Sequence, residues 1–464
     1  MASNAKPARS RRSRSAKRPG ASVHLGLAAA AMVALLILTL LGPLMSFGTV
    51  DHSGVGSLWR QVGYIAIFIA CVIAIRPFSN PERLAVVPWP LLLALGWCWL
   101  SLLWAIDPSI ALRRLILTSV IIWGVFVLVR QLGYDRALAM IRLLLVIALV
   151  VNFASIAVAP EMAIHQVNDP EDTSLVGDWR GVMGHKNIAG LIGALTVLFF
   201  AFDRQRIPRL VQIAVIVPAA IFLLYTSSRT SMALCVGGVV LGLIFARYKS
   251  RYRSAVIGMV IVLGIVGAWA QSAYSDPFMR VLNDPTAFTG RTQIWQALYQ
   301  YHLNNRWFGS GYGSFWNIGD RSPILYYGTD WVRTIAQGHN GFLDLLVQIG
   351  IPGLILVLFA TLVWPLIQLL NSRATEGERG ALIAATLLFC IAHNGSESSL
   401  MDRDMIGQVF LMVAIAMLCT LVRLEKRDGR LRMSTEALNW ANKRGERSRP
   451  TAPDPAPSAD PAAT

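Results

Sequence analysis

Three short polar stretches carry most of the chemistry that this sequence could perform. Arg229 stands in Ser-Ser-Arg-Thr-Ser between two apolar runs, so it heads a helix at the edge of a nonpolar layer. A guanidinium at that depth persists when it has an anionic partner. A lipid headgroup or a nearby carboxylate would serve. So would a bound pyrophosphate, whose oxygens suit the planar fork of arginine. Gly184-His185-Lys186-Asn187 opens a second apolar run. Backbone N–H groups and a cation at a helix head suit phosphate, and a plain helix cap would use the same residues. His339 lies in Gly338-His339-Asn340-Gly341, at the start of a long apolar run. The positive end of a helix dipole favours an uncharged imidazole there, which can act as a general base. A capping or hydrogen-bonded structural histidine is the other reading of that residue.

Other chemistries lack their residues. No Walker A sequence is present, and Gly309-Ser-Gly-Tyr-Gly313 has no strand before it, which argues against a dinucleotide site. No HExxH or His/Cys cluster suggests zinc. The five cysteines, Cys71, Cys98, Cys235, Cys390 and Cys419, all sit in apolar runs without a CxxC pair, as small core residues do. Asp276, Asp284, Asp320, Asp330, Glu397, Asp402 and Asp404 form no acidic pair of the kind that holds a metal and a sugar nucleotide. A transferase with this equipment needs no cofactor or metal and takes a donor that is already activated, such as a lipid diphosphate.

The elements that must hold these residues are membrane helices. Of 464 residues 55% are apolar and only 15% charged, with a mean hydropathy of +0.52. A soluble domain carries about 25% charged residues, so a water-soluble globule and a disordered chain are both excluded. Apolar runs fall at roughly 25–48, 58–75, 85–106, 112–129, 138–159, 187–202, 210–226, 231–246, 254–272, 341–370, 381–395 and 405–422. The expectation is therefore an all-α polytopic membrane protein of about twelve transmembrane helices, with ten or eleven if 58–75 or 381–395 falls short. The run 341–370 is long enough to tilt or break at Pro352. Continuous runs exclude a β-barrel.

With the amino terminus inside, the inner loops and the two tails hold 29 of the 42 Lys and Arg, and Arg247-Tyr-Lys-Ser-Arg-Tyr-Arg253 is the clearest marker. Both termini are then cytoplasmic. The expected division is a basic cytoplasmic tail 1–24, helices one to nine over 25–272 with a periplasmic loop at 160–186, a large periplasmic loop 273–340, helices ten to twelve over 341–422, and a cytoplasmic tail 423–464 disordered at its end. The first run has no clear cleavage site and reads as a retained anchor. The net charge of +16 lies mostly in the tails. It suits an anionic inner leaflet better than nucleic acid. A long outer loop suggests that the work is done on that face. Within it Ile294, Trp295, Leu298, Tyr299 and His302 have helical spacing and predict an amphipathic helix on the outer leaflet, a plain packing helix being the alternative.

Taken in order, Arg229 opening a run, Thr289-Gly-Arg291-Thr-Gln-Ile-Trp295, Gly309-Ser-Gly-Tyr-Gly-Ser-Phe315 and Gly338-His339-Asn340 with Leu343 resemble the O-antigen ligase and Wzy-type polysaccharide polymerase superfamily. Arg180-Gly-Val-Met-Gly-His185-Lys186-Asn187 is further similar to its exopolysaccharide polymerase branch of the succinoglycan type. The resemblance covers roughly 180–400. Arg306 before Trp-Phe-Gly departs from it, where relatives often carry proline, and bears on loop shape. It implies a GT-C-like, inverting, metal-independent glycosyltransferase of the bacterial inner membrane, working at the periplasmic face on a glycan carried by undecaprenyl diphosphate. By position, Arg229 and Arg291 would grip the diphosphate and His339 would be the base. Arg180, His185, Lys186, Asn187 and Asn340 would help hold donor or acceptor. Glu397 and Arg403 would order the arginines or close the groove.

Three functions follow. The first is a polymerase of lipid-linked repeat units for an exopolysaccharide or O-antigen. The second is a ligase moving a finished glycan onto a lipid A core or a protein. The third, of another class, is a transporter or an assembly scaffold. Partners would be the lipid-linked donor, the glycan acceptor and membrane lipids, with a flippase and a chain-length regulator beside them and no nucleic acid.

Overall fold

A computed structural model describes residues 19–41, 58–167, 175–204, 207–259 and 287–447, with Val262, Ile265, Val266 and Asp284 besides. Among these residues the chain is helical, with no strand and only two isolated bridges. Eleven of the twelve apolar runs coincide with helices. The run 254–272, the start of the loop 273–340 as far as 286 apart from Asp284, and the ends of both tails lie outside the described residues, wholly or in part.

The helices are α1 (Pro19–Leu41), α2 (Leu58–Ile75), α3 (Trp89–Leu100), α4 (Pro108–Leu132), α5 (Tyr134–Val158), α6 (Lys186–Ala201), α7 (Arg209–Tyr225), α8 (Arg229–Ala246), α9 (Arg291–Asn304), α10 (Gly341–Leu358, continued by a π-helical turn and Trp364–Asn371), α11 (Glu378–His393) and α12 (Ile406–Arg447). Local chemistry sets their ends. Asp107 caps α4 by accepting the Ile110 N–H at 3.0 Å, with Pro108 in the first turn, and Gly133 at φ +76° closes it.

Among the described residues six helices, within α1, α4, α5, α8, α10 and α12, are long and apolar enough to cross a membrane. Four apolar helices are shorter: Trp59–Ile75, Trp89–Leu103, Lys186–Ala201 and Arg209–Tyr225. A count of twelve crossings thus remains an expectation, because a bilayer core asks for about 20 residues.

α12 is the axis of the bundle, with 83% of its apolar window buried, and it packs against α4 and α11. α8 lies at the rim with 28% buried. Its outward residues Val236, Val240, Leu243 and Ile244 are exposed apolar groups, as a lipid-facing helix requires. Arg142, inside α5, is 8% exposed. It donates to the carbonyls of Phe199 and Phe202 at 2.8 Å and of Asp203 at 3.0 Å, so its charge closes the carboxyl end of α6.

α10 breaks. Pro352 lacks an N–H and crowds the carbonyl of Gln348, but the turn itself falls two residues earlier, at Gly350, with φ +67° and ψ −175°. Only glycine occupies that region freely, and a Cβ here would strike the Trp307 carbonyl. The loop 306–310 satisfies the freed backbone groups. Ile351 N–H donates to Arg306 O at 3.0 Å, and Ser310 N–H donates to Val347 O at 2.9 Å. Trp97 Nε1 adds a bond to Ile349 O at 2.9 Å. Gly309, at φ +66°, lies so close to α10 that a Cβ there would come within 2.6 Å of Val347 O. The glycine-rich motif is therefore a splint for the broken helix.

α9 departs from the expectation of a helix lying on the leaflet. Ile294, Ala297, Leu298 and Tyr301 are buried with Phe315, Trp316, Ile324 and Val332 against Val347 of α10. The apolar stripe is consumed by this second core. It is a packing helix.

Candidate active site

The starts of α6, α8, α9 and α10 converge on the turn between α11 and α12. Asn394, at the end of α11, accepts the N–H groups of Ser399 at 2.9 Å and Leu400 at 2.7 Å through its side chain. Its carbonyl and that of Glu397 both take the Gly341 N–H, at 2.8 and 3.1 Å. The turn is thus fastened to the head of α10.

Glu397 is the hub. Its Oε1 accepts from Arg291 Nη2 at 3.0 Å and from Asn187 Nδ2 at 2.7 Å, and its Oε2 lies 3.4 Å from His339 Nδ1. Side chains of Arg291, Glu397 and His339 are 17, 18 and 25% exposed, enclosed yet reachable. Burial alone would push the Glu397 carboxyl up. The hydrogen bond from His339 and the charge of Arg291 overcome it and hold the carboxyl at about 2. Arg291 Nη1 also donates to the Ser396 carbonyl. Four segments far apart in sequence, α6, α9, the head of α10 and the α11–α12 turn, therefore meet at one carboxylate.

His339 stands just before α10 at φ +48°. A neutral imidazole here gives Nδ1–H to Glu397 and keeps the Nε2 lone pair; among the described residues nothing bonds Nε2. Asn340 caps α10 through Oδ1, which accepts the Phe342 and Leu343 N–H groups at 3.1 Å each. Arg229 is exposed at the first position of α8, with no described bonding partner. Its neighbour Thr230 accepts from Ser396 Oγ at 3.0 Å, which puts Arg229 beside the same turn.

The remaining candidates divide. His185 Nδ1 accepts the Asn187 N–H at 3.1 Å, so this histidine is the cap of α6. Burial, helped by His165, His339 and Lys186 and opposed by Glu397, pushes it down to about 4. It brings a cap and no charge. Lys186 pairs with Asp178 at 2.5 Å, and Arg180 Nε donates to Met162 O at 2.9 Å. These contacts tie Lys186 to Asp178 and Arg180 to Met162. Arg403 pairs with Asp402 at 2.8 Å, a charge that raises it further. It belongs to a second patch where Asp404 meets Arg60 and Tyr64. Among the described residues no three His, Cys, Asp or Glu are placed to hold a metal ion.

The sequence offered Trp295 only as part of a motif and an apolar stripe, with no role at the site, and did not point to Ser396 or Ser398. Trp295 donates to Gly338 O at 3.0 Å. It lies one helical turn after Arg291, and that i, i+4 spacing was the available signal. Residues 214–358 match the family model described as O-antigen ligase. This segment is similar to the O-antigen ligase family. No curated protein matches the chain. The matched segment runs from α7 into α10 and contains Arg229, Arg291, His339 and Asn340. Asn187 and Glu397 come to the cluster from outside it. With its apolar helices and this matched segment, the chain is a multi-pass membrane protein.

Proposed function

We propose that the chain is a glycosyltransferase that polymerises undecaprenyl diphosphate-linked repeat units at the periplasmic face of the inner membrane. The observation that carries this is the Glu397 hub, where a histidine and an arginine are held together at a membrane-helix boundary. In the proposed reaction an acceptor sugar hydroxyl gives its proton to His339 Nε2 while its oxygen attacks the anomeric carbon from the face opposite the diphosphate. The C1–O bond breaks, the configuration inverts, and the lipid diphosphate leaves with the bonding electrons.

Glu397 accepts Nδ1–H, fixes the tautomer and steadies the imidazolium that forms. Arg229 and Arg291 stabilise the charge that develops on the leaving diphosphate. Asn187 and Arg291 keep Glu397 in place. Asn340 orders the turn, and His185 and Lys186 shape the neighbouring helix head. Arg180 and Arg403 line the approach for the glycan and the lipid. The two substrates meet in one groove, which replaces a random encounter in the membrane.

The family description favours a second reading, in which a finished glycan passes to a lipid A core or a protein by the same chemistry. Purified protein supplied with lipid-linked repeats alone separates the two. A ladder of lengthening products supports the polymerase. Products that form only after a lipid A core or acceptor protein is added support the ligase. No product in either mixture contradicts both and favours transport or scaffolding.

A further inference from the structure

The backbone N–H groups of the two residues flanking His339 converge on one buried side chain, one directly and the other through Ser398. Asp344, in the first turns of α10, is 6% exposed. Both of its oxygens accept the Gly338 N–H at 3.1 Å. Trp316 Nε1 donates to it at 2.9 Å, and the Ser398 hydroxyl bonds the same carboxyl. Ser398 Oγ in turn accepts the Asn340 N–H at 3.1 Å. The N–H before His339 is thus bound directly and the N–H after it through Ser398, while Trp295 holds the Gly338 carbonyl.

This grip explains a backbone that would not form unaided. His339 has φ +48°, which a residue with a Cβ adopts when its surroundings impose it. Gly338 is the only residue type that fits over the carboxyl, since a Cβ there would strike Asp344 and come within 2.7 Å of Leu298. The side-chain type at 344 is also fixed. Three donors converge on two oxygens, and an amide would turn its NH₂ against one of them.

We propose that Asp344 is a positioning residue for the glycosyl transfer, setting the His339 turn so that Nδ1 meets Glu397 and Nε2 faces the acceptor hydroxyl. The inference rests on His339 being the base. Asp344 itself touches no substrate. A misplacement of about 1 Å costs roughly 100-fold in rate, so Asp344→Asn is expected to lower kcat by roughly 100-fold with KM for the lipid-linked donor within threefold. Ser398→Ala, which removes only the link to Asn340, is expected to lower kcat by roughly tenfold, again at unchanged KM.

The experiment measures kcat and KM of wild type, Asp344→Asn, Ser398→Ala and His339→Ala in proteoliposomes with a synthetic undecaprenyl diphosphate oligosaccharide. Thermal midpoints in detergent report the fold. The predicted kcat losses at constant KM in folded protein support the proposal. Folded variants with kcat within threefold of wild type, or with the loss in KM alone, overturn it. Should Asp344→Asn not fold, Ser398→Ala decides by the same criteria. Full turnover in His339→Ala would overturn both this proposal and the function it rests on, whereas a dead His339→Ala beside an active Asp344→Asn would overturn the positioning role alone.

Discussion

Replacing Glu397 by glutamine keeps the shape of the hub and removes its charge. The carboxyl is held at about 2 against an ordinary 4.5. That difference corresponds to about 3 kcal/mol of preference for the charged form, expressed in full when the carboxyl is ionised in both the folded and the unfolded chain. Glu397→Gln is therefore expected to lower the unfolding free energy by about 3 kcal/mol at neutral pH, and the thermal midpoint by on the order of 5 °C. The depressed value fixes the direction with pH. The stabilisation is present above the ordinary value of 4.5 and is lost as pH falls toward 2. The gap between wild type and variant should stay constant above that value and close below it. Activity should fall more steeply than stability, by roughly 10³-fold in kcat, as when a histidine base loses the carboxylate that orients it. Scanning fluorimetry in detergent across pH, with turnover of a lipid-linked substrate, checks both. A variant as stable as wild type at neutral pH, with kcat within threefold, would refute the role given to the hub.

Arg142→Ala leaves three carbonyls at the end of α6 without their donor; a loss of about 4 kcal/mol is expected by thermal unfolding, with no rescue by lysine, which lacks the fork. Gly350→Ala should prevent accumulation of folded protein, because its Cβ would meet the Trp307 carbonyl, whereas Gly377→Ala, at φ +81° with open space around it, should cost about 1 kcal/mol; fluorescence-detected size exclusion compares them. Arg229→Ala removes no described contact, so stability should change by less than about 0.5 kcal/mol while turnover falls roughly 100-fold. A stability loss matching the activity loss would make Arg229 structural.

Periodicity and run length located most of the helices to within a few residues. The bounds 187–202, 210–226 and 231–246 compare with Lys186–Ala201, Arg209–Tyr225 and Arg229–Ala246. These ends were legible because a burst of polar residues beside an apolar run leaves little freedom. The break in α10 was legible through Pro352, but the turn fell at Gly350, since the conformation that relieves a proline needs a glycine upstream. α9 was misjudged as a surface helix because an apolar stripe does not say whether lipid or protein covers it.

At the candidate site, His339, Arg291 and Asn187 were visible as residue types in suggestive places. The resemblance implied that Glu397 would order the arginines, but not its contacts to Asn187 and His339, since 210 positions separate Asn187 from Glu397 and no local pattern encodes such pairing. By resemblance Lys186 and Arg180 would hold donor or acceptor. In the structure they meet Asp178 and the Met162 carbonyl.

The most direct measurement is glycan transfer by purified protein in proteoliposomes, with undecaprenyl diphosphate oligosaccharide as donor and a chelator in excess. Wild type should extend the glycan without any divalent ion, and His339→Ala and Arg291→Ala should be folded and inactive. Extension by His339→Ala at the wild-type rate, or an absolute need for metal, would contradict a histidine base working beside arginine-bound diphosphate.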